Sequence, residues 1–343
     1  MQVVVIGAGR MGAIRAVDLS ADPRVTDVVI VNRTPDRAAS LARELGATAV
    51  AWEDLSTLRP DAFVAALATD AHTDLLTGLL EQRVPVLCEK PIALTLEHTD
   101  EIIACAERYG TPIQIGFQRR FDPGISRARD LVVAGRLGVL YSMMMTAHDH
   151  TPSPREFIAG SGGIFRDMHV HDFDLVRWIT GSEVATVYAT KAVRAQHQYA
   201  EFDDADATQI QLVTVDGIQV SISGTRHDPL GHDVRMEIFG SADSVVAGLN
   251  PRTPLHSLDG DADPSASLGM NDRPYTGFVD RFREAFRVET AAFVSMVAGE
   301  AANACPPDAA RESLRIAIAC EESVRRGGVV HVADIGPEHR PPP

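Results

Sequence analysis

The chain has 343 residues, 45% of them hydrophobic and 23% charged, which suits two domains that each bury a proper core. A formal net charge of −15 argues against a nucleic-acid partner, because phosphate-binding surfaces need clustered Lys and Arg. No run approaches the roughly 20 consecutive apolar residues of a membrane span.

Met1 leads at once into a short apolar strand and then glycines, unlike a signal or transit peptide. Val3–Ile6, Val28–Val31, Ala62–Ala66, Val84–Leu87 and Ile113–Gly116 are short apolar runs rich in β-branched residues. Such runs, apolar on both faces, read as strands buried on both sides of a parallel sheet. Between them lie helical stretches at Met11–Leu19, Asp36–Leu45, His72–Gln82 and Leu96–Tyr109. Strands alternating with helices of this length predict a doubly wound Rossmann sheet over residues 1–118. Cys88, Cys105, Cys305 and Cys320 show no CxxC spacing and are expected as small core residues in a reducing cytoplasm.

From residue 119 the pattern changes. A helix over Ser126–Ala134 and the apolar run Leu140–Thr146 precede a helical segment at Phe165–Ile179. The runs Val184–Ala192, Ala207–Val215, Gln219–Gly224 and Val234–Phe239 then follow without helices between them. Residues 119–336 are therefore expected to form an α+β domain with a large, mostly antiparallel open sheet. The stretch 250–274, rich in Pro, Gly, Asp and Ser, reads as a long loop that either stays solvated or closes as a lid. Helices near Gly277–Ala298 and Asp308–Arg326 close the chain, before a frayed Pro-rich tail.

Gly7-Ala8-Gly9-Arg10-Met11-Gly12 is a GxGxxG placed between the first strand and the first helix. The first glycine makes the tight turn, the second admits a pyrophosphate, and the third allows helix–strand packing. The helix N-terminus then presents unpaired N–H groups to the phosphates. At the end of the second strand stands Asn32-Arg33-Thr34, where NAD enzymes usually carry a carboxylate for the ribose 2′-hydroxyl. Without that charge, Arg33 can pair with a 2′-phosphate and stack on adenine, so NADP is favoured over NAD. Thr69, His72, Glu89 and Lys90 complete the expected cofactor-binding set.

Glu89-Lys90-Pro91 follows the fourth apolar run, at the carboxyl end where doubly wound sheets bind ligands. Lys90 there can donate to a substrate oxygen. In Gly162-Gly163-Ile164-Phe165-Arg166-Asp167-Met168-His169-Val170-His171, Asp167 and His171 are four apart and share a helix face. That spacing suits a general base whose imidazole is oriented by a carboxylate. His169 lies on the opposite side and is not expected to join them. The cluster His148, His150, His169 and His171 suggests a metal site, but divergent faces cannot converge on one ion, and none is expected.

The glycine fingerprint, Glu89-Lys90-Pro91, Gly116-Phe117-Gln118-Arg119-Arg120-Phe121-Asp122-Pro123 and the Asp167-to-His171 run resemble the family of glucose–fructose oxidoreductase, inositol dehydrogenase and the rhizopine-catabolism protein. The resemblance runs through nearly the whole chain and is nearest the myo-inositol dehydrogenases. It implies Lys90, Asp167 and His171 as the catalytic set and a cis peptide at Pro91. It implies a substrate set of Lys90, Arg119, His148, His150, Asp167, His171 and His232, the last standing where some inositol dehydrogenases carry tyrosine. Asp149 and His150 follow His148 where other polar residues are expected, which leaves the exact polyol open.

The expected activity is therefore hydride transfer between NADP or NAD and a secondary hydroxyl of a cyclic polyol, an inositol first of all. The alternatives are a sugar or amino-sugar dehydrogenase or ketosugar reductase, a metal-dependent lyase or hydrolase, and a non-catalytic NADP-sensing protein. A homo-oligomer, dimer or tetramer, is implied by the resemblance.

Overall fold

A computed structural model of the chain describes residues 1–67, 72–255 and 272–339. Two compact units emerge: Met1–Phe121 with Glu284–Glu312, and Asp122–Arg283 with Ser313–Pro343.

In the first unit, β1 (Gln2–Ile6), β2 (Asp27–Val31), β3 (Thr48–Val50), β4 (Ala62–Ala65), β5 (Val86–Glu89) and β6 (Ile113–Gly116) form one sheet in the order β3-β2-β1-β4-β5-β6. Every neighbouring pair is parallel. The expected doubly wound sheet is present, and α1 (Arg10–Ala21), α2 (Pro35–Leu45), α3 (His72–Leu80) and α4 (Leu96–Tyr109) connect its strands. The sequence reading passes over β3, which is short, mostly exposed and lies at the edge. It also starts β5 two residues early: Pro85 has no N–H to give the ladder, so regular pairing begins at Val86. Val3, Val5, Val28, Ile30 and Val64 pack with Leu19 of α1 and with Phe293 and Val294 of the later helix Arg283–Val297.

That later helix also supplies a buried charge. Arg15 of α1 donates from Nε to Glu89 Oε1 at 2.8 Å and from Nη2 to Glu289 Oε2 at 2.5 Å. Its Nη1 donates to Thr290 Oγ1 at 3.1 Å, and the guanidinium lies 5.2 Å from the Phe286 ring centre. Burial, with the Glu89 charge adding to it, pushes the Glu289 carboxyl up to about 7 despite Arg15.

The second unit contains α5 (Pro123–Val133), β7 (Leu140–His148), α6 (Arg155–Ser161), α7 (Val170–Thr180), β8 (Val184–Ala192), β9 (Ala207–Thr214), β10 (Gln219–Thr225), β11 (Asp233–Gly240) and β12 (Ser244–Ala247). α8 (Phe278–Arg281) precedes α9 (Arg283–Val297) and α10 (Pro307–Arg326), and β13 (Val330–His331) ends the sheet. Strand order is β12-β11-β7-β10-β9-β8-β13, antiparallel throughout except for the parallel pair β7–β10. The sheet is therefore mixed and mostly antiparallel. Its strands alternate: Ile210, Leu212 and Thr214 point inward, and Gln209, Gln211 and Val213 point outward.

Cys88, Cys305 and Cys320 are buried free thiols, and Cys105 is a half-buried one. Among the described residues, no helix is long and apolar enough to cross a membrane. Most of the expected lid, residues 256–271, and the tail from 340 lie outside the described residues.

Candidate active site

The turn from β1 to α1 has the shape that the fingerprint requires. Gly7 adopts φ 111°, its N–H donates to Val31 O at 2.8 Å, and a Cβ there would fall 2.4 Å from the Ala66 carbonyl oxygen. A Cβ on Gly12 would fall 1.7 Å from Gly7 O, so only glycine lets the helix sit this close to the turn. At Gly9 a Cβ would meet nothing within 4 Å. The tip of the turn is bare backbone just ahead of the α1 N-terminus, and a dinucleotide pyrophosphate fits such a place. Arg10 is exposed there, whereas Met11 is half-buried and packs against the core of the unit.

Asn32 serves this turn from within. Its Oδ1 accepts the Ala8 N–H at 3.0 Å and its Nδ2 donates to Thr34 O at 3.0 Å, so the side chain braces the loop. Arg33 and Thr34 are exposed, and the Arg33 guanidinium stands 5.0 Å from the Trp52 ring centre. Trp52 is absent from the sequence reading because it follows the unrecognised edge strand. Thr69 lies outside the described residues, and of His72 only the backbone is described, as the first residue of α3.

Lys90 is the first residue past β5, half-buried, and the Lys90–Pro91 peptide is cis. The neighbouring Glu89 turns its carboxylate to Arg15 in the interior, a role different from the cofactor contact expected of it. Arg119 is buried in the single 3-10 turn Gln118–Phe121 that follows β6.

In the second unit, the helical segment around Asp167 is not a plain α-helix. Phe165–His169 form a π-helical turn that runs into α7. Ile164, which opens it, donates its N–H to Asp204 Oδ1 at 2.8 Å. Asp167 stands in this wide turn with His171 just beyond it, so the simple four-residue face is altered. Asp167 Oδ2 accepts from Arg226 Nη1 at 2.7 Å. His169 points into the unit: Nδ1 lies 2.8 Å from Asp172 Oδ2, and Nε2 lies 2.8 Å from Thr208 Oγ1. Its ring covers Gly224 of β10, where a Cβ would come within 2.3 Å of Nε2. His169 is a satisfied core histidine.

Strand alternation separates the remaining histidines. His148 ends β7 on the outward face, with Nε2 3.1 Å from Ser223 Oγ and Nδ1 3.4 Å from Asp228 Oδ2. His150 Nδ1 lies 2.9 Å from the Asp228 carbonyl oxygen. Asp149, between them, turns the other way, towards the charges around Asp167. Its Oδ1 is 3.3 Å from His232 Nδ1, an ion-pair distance without good hydrogen-bond angles. His232 is buried and meets the Phe282 ring edge-on, with centroids 6.3 Å apart. The expected substrate set thus splits: His232 keeps company with Asp149, Arg226 and Asp167, and His148 and His150 belong to a separate polar line on Asp228. Sequence reasoning noted Asp149 only as leaving the polyol open and passed over Arg226, though the inward alternation of Ala147 and Asp149 was available as a signal.

Burial alone would raise the Asp149 carboxyl. His232 and Arg226 outweigh it and hold the group below the ordinary carboxylate range. Arg226 is pulled both ways as well: burial lowers its affinity for the proton, and Asp167, Asp204 and Asp149 raise it further. Both groups are thus charged at neutral pH. Among the described residues, no cluster of three or more His, Cys, Asp or Glu side chains is arranged to hold a metal ion.

Comparison with known proteins accounts for both units. Residues 1–117 match the model of the oxidoreductase family with an NAD-binding Rossmann fold, and residues 125–246 match the GFO/IDH/MocA C-terminal domain. A myo-inositol dehydrogenase of Streptomyces leeuwenhoekii, Hyg17, is 36% identical over 96% of this chain and 99% of its own. An inositol 2-dehydrogenase of Rhizobium meliloti is 30% identical over 85% of this chain and 87% of its own. The crystal structure of a myo-inositol dehydrogenase from Corynebacterium glutamicum superposes with a TM-score of 0.86 at 31% identity, covering 96% of this chain and 98% of that one. With its glycine turn, its Lys90-Pro91 step and its two matched domains, the chain belongs to the GFO/IDH/MocA family of oxidoreductases.

Proposed function

We propose that the protein is an NADP-linked dehydrogenase of a cyclic polyol, an inositol, with the first unit holding the dinucleotide and the second the polyol. The observation that carries the reading is the charged set at the π turn, where Asp167 is held by Arg226 beside the Asp149–His232 pair. Lys90, Asp167 and His171 occupy the places of the catalytic residues in the resemblance noted above. His171 takes the proton of the reacting hydroxyl on its imidazole, and the Asp167 carboxylate supports the imidazolium that results. Lys90 donates to the alkoxide oxygen as charge develops there. The nicotinamide, when bound, supplies the electron-accepting ring.

NADP is preferred because no carboxylate stands at the end of β2, where Arg33 stacks on Trp52 and Thr34 is exposed. Asn32 is engaged with the loop. Gly7, Gly9 and Gly12, with Arg10 beside them, would hold the pyrophosphate. A second reading, an amino-substituted cyclitol or amino sugar, is favoured by the surplus of negative charge: Asp149, Asp167 and Asp204 stand against the single guanidinium of Arg226.

The test is absorbance at 340 nm with NADP and NAD against inositol isomers, amino-substituted cyclitols and aldoses. Turnover of myo- or scyllo-inositol supports the first reading, and turnover confined to amino-substituted substrates supports the second. Cofactor binding with no turnover anywhere in the panel would leave a sensor. We also place the protein in the cytoplasm, on its free thiols. Self-association through the outer face of the mixed sheet is part of the proposal, since Met144, Tyr188 and Val213 are exposed there. Light scattering after size exclusion tests this, and a monomer at all concentrations rules it out.

A further inference from the structure

We infer that Arg226 is the positioning residue of the site, fixing the Asp167 carboxylate in place and keeping it ionised so that it can support a protonated His171. The inference rests on the catalytic reading of Asp167 given above. Arg226 follows β10 directly, and its side chain is almost wholly buried. Its guanidinium is a fork: Nη1 donates to Asp167 Oδ2 at 2.7 Å, and Nη2 lies 3.3 Å from Asp204 Oδ2. Asp204 in turn accepts the N–H of Ile164, the residue that opens the π turn. One guanidinium therefore holds the turn twice, at the residue just before it through Asp204 and at Asp167 directly.

The base of the fork is itself anchored. The Arg226 N–H donates to Asp206 O at 2.9 Å. The Asp206 carboxylate accepts the N–H groups of Arg194, Ala195 and Gln196 at 2.6 to 2.7 Å. The guanidinium lies over the Tyr199 ring at 5.6 Å. A buried cation needs one buried anion, and Asp204, 2% exposed, already provides it. The shorter contact goes instead to Asp167, which remains 16% exposed. Folding alone does not call for that second bond, whereas an oriented carboxylate does. The planar fork fixes angle as well as distance, which a lysine ammonium would not do.

The charged groups around Asp167 are Arg226 and Asp204, Asp149 paired with His232, and His171 on its own segment. The test uses the full-length protein with its cofactor and the polyol that it turns over. Asp167→Asn should lower kcat about 100-fold or more, the scale of general acid–base catalysis. Arg226→Met should lower kcat about 30- to 100-fold, with cofactor binding unchanged by fluorescence titration. It should also move the acid limb of the kcat–pH profile to higher pH, because the His171 base and its supporting Asp167 lose a neighbouring cation. Arg226→Lys keeps the charge and should leave that limb in place while recovering only part of kcat. In an Asp167→Asn background, Arg226→Met should cost nothing further, because its effect runs through Asp167.

The inference is overturned if Arg226→Met keeps kcat and its pH profile, or if its effect multiplies with that of Asp167→Asn. Should Arg226→Met fail to fold, Asp204→Asn serves instead. That variant loosens the fork and should lower kcat about 5- to 10-fold in the wild-type background alone, and an unchanged kcat counts against the fork. Wild-type turnover by Asp167→Asn is a different failure, since it removes the catalytic reading of Asp167 itself.

Discussion

Under the proposed function, Arg33 on its Trp52 platform reads the adenosine end of the dinucleotide. Its position just past β2 leaves the guanidinium exposed and stacked, and on that reading it meets the 2′-phosphate. Arg33→Ala should weaken NADPH binding about 10- to 100-fold, the scale of a lost charge-assisted pair, and change NADH binding little. Fluorescence titration with both cofactors checks this, and equal losses for the two would show that Arg33 does not meet the 2′-phosphate. His232 sets a second expectation. Buried beside Asp149, it holds that carboxylate towards the Asp167 charges, so His232→Phe should raise KM for the polyol about 10-fold and leave the cofactor KM unchanged. At this scale the sequence was readable where a residue's role is set by its neighbours in the chain. The glycine turn and the Lys90 step are of that kind. The run His148-Asp149-His150 is harder to read, because strand alternation, not residue type, decides which side chain faces inward.

Elements decide whether such residues hold their place. The strands and helices of the first unit were legible from their periodicity, because a parallel sheet demands apolar residues on both faces. Three features were not. β3 is a short exposed edge, the β7–β10 pairing joins strands far apart in sequence, and the π turn at Phe165–His169 follows no apolar period. Arg226 was invisible for the same reason: its partners come from three separate stretches of chain. Helix α9 carries the clearest pH dependence. The Glu289 carboxyl sits at about 7 in the folded state, above its usual value of 4.5, so the folded protein favours its protonated form. The stabilisation from this group is fully present below the unfolded value and is lost as pH rises through about 7. Glu289→Gln mimics the protonated carboxyl and should come within about 1 kcal/mol of the wild type at pH 5. At pH 8.5 it should be the more stable, by about 3 kcal/mol as an upper bound. Denaturant unfolding at the two pH values reads this, and a gain at pH 5 as large as at pH 8.5 would contradict it.

On the scale of the whole molecule, the first unit is discontinuous in the chain. Residues 284–312 complete it, bringing Phe293 and Val294 to its core and Glu289 to Arg15. A fragment of residues 1–121 should therefore fail to reach the native state, because it lacks part of its core and one partner of a buried arginine. Circular dichroism and thermal unfolding of the fragment, alone and with a peptide of residues 284–312, would test this. A cooperative transition in the fragment by itself would show that the tail segment is dispensable.

The Arg15–Glu289 contact, which spans 274 residues of sequence, also sets an order of events during synthesis. At roughly 5 to 20 residues per second, Arg15 leaves the ribosome about 14 to 55 s before the carboxylate that completes its pairing. Through that interval the strand–turn–helix carrying the glycine fingerprint is already outside, with its hydrophobic seat for Phe293 and Val294 still open. The glycine-turn segment thus waits for residues 284–312, and only their arrival closes the core against which β1, β2 and α1 pack.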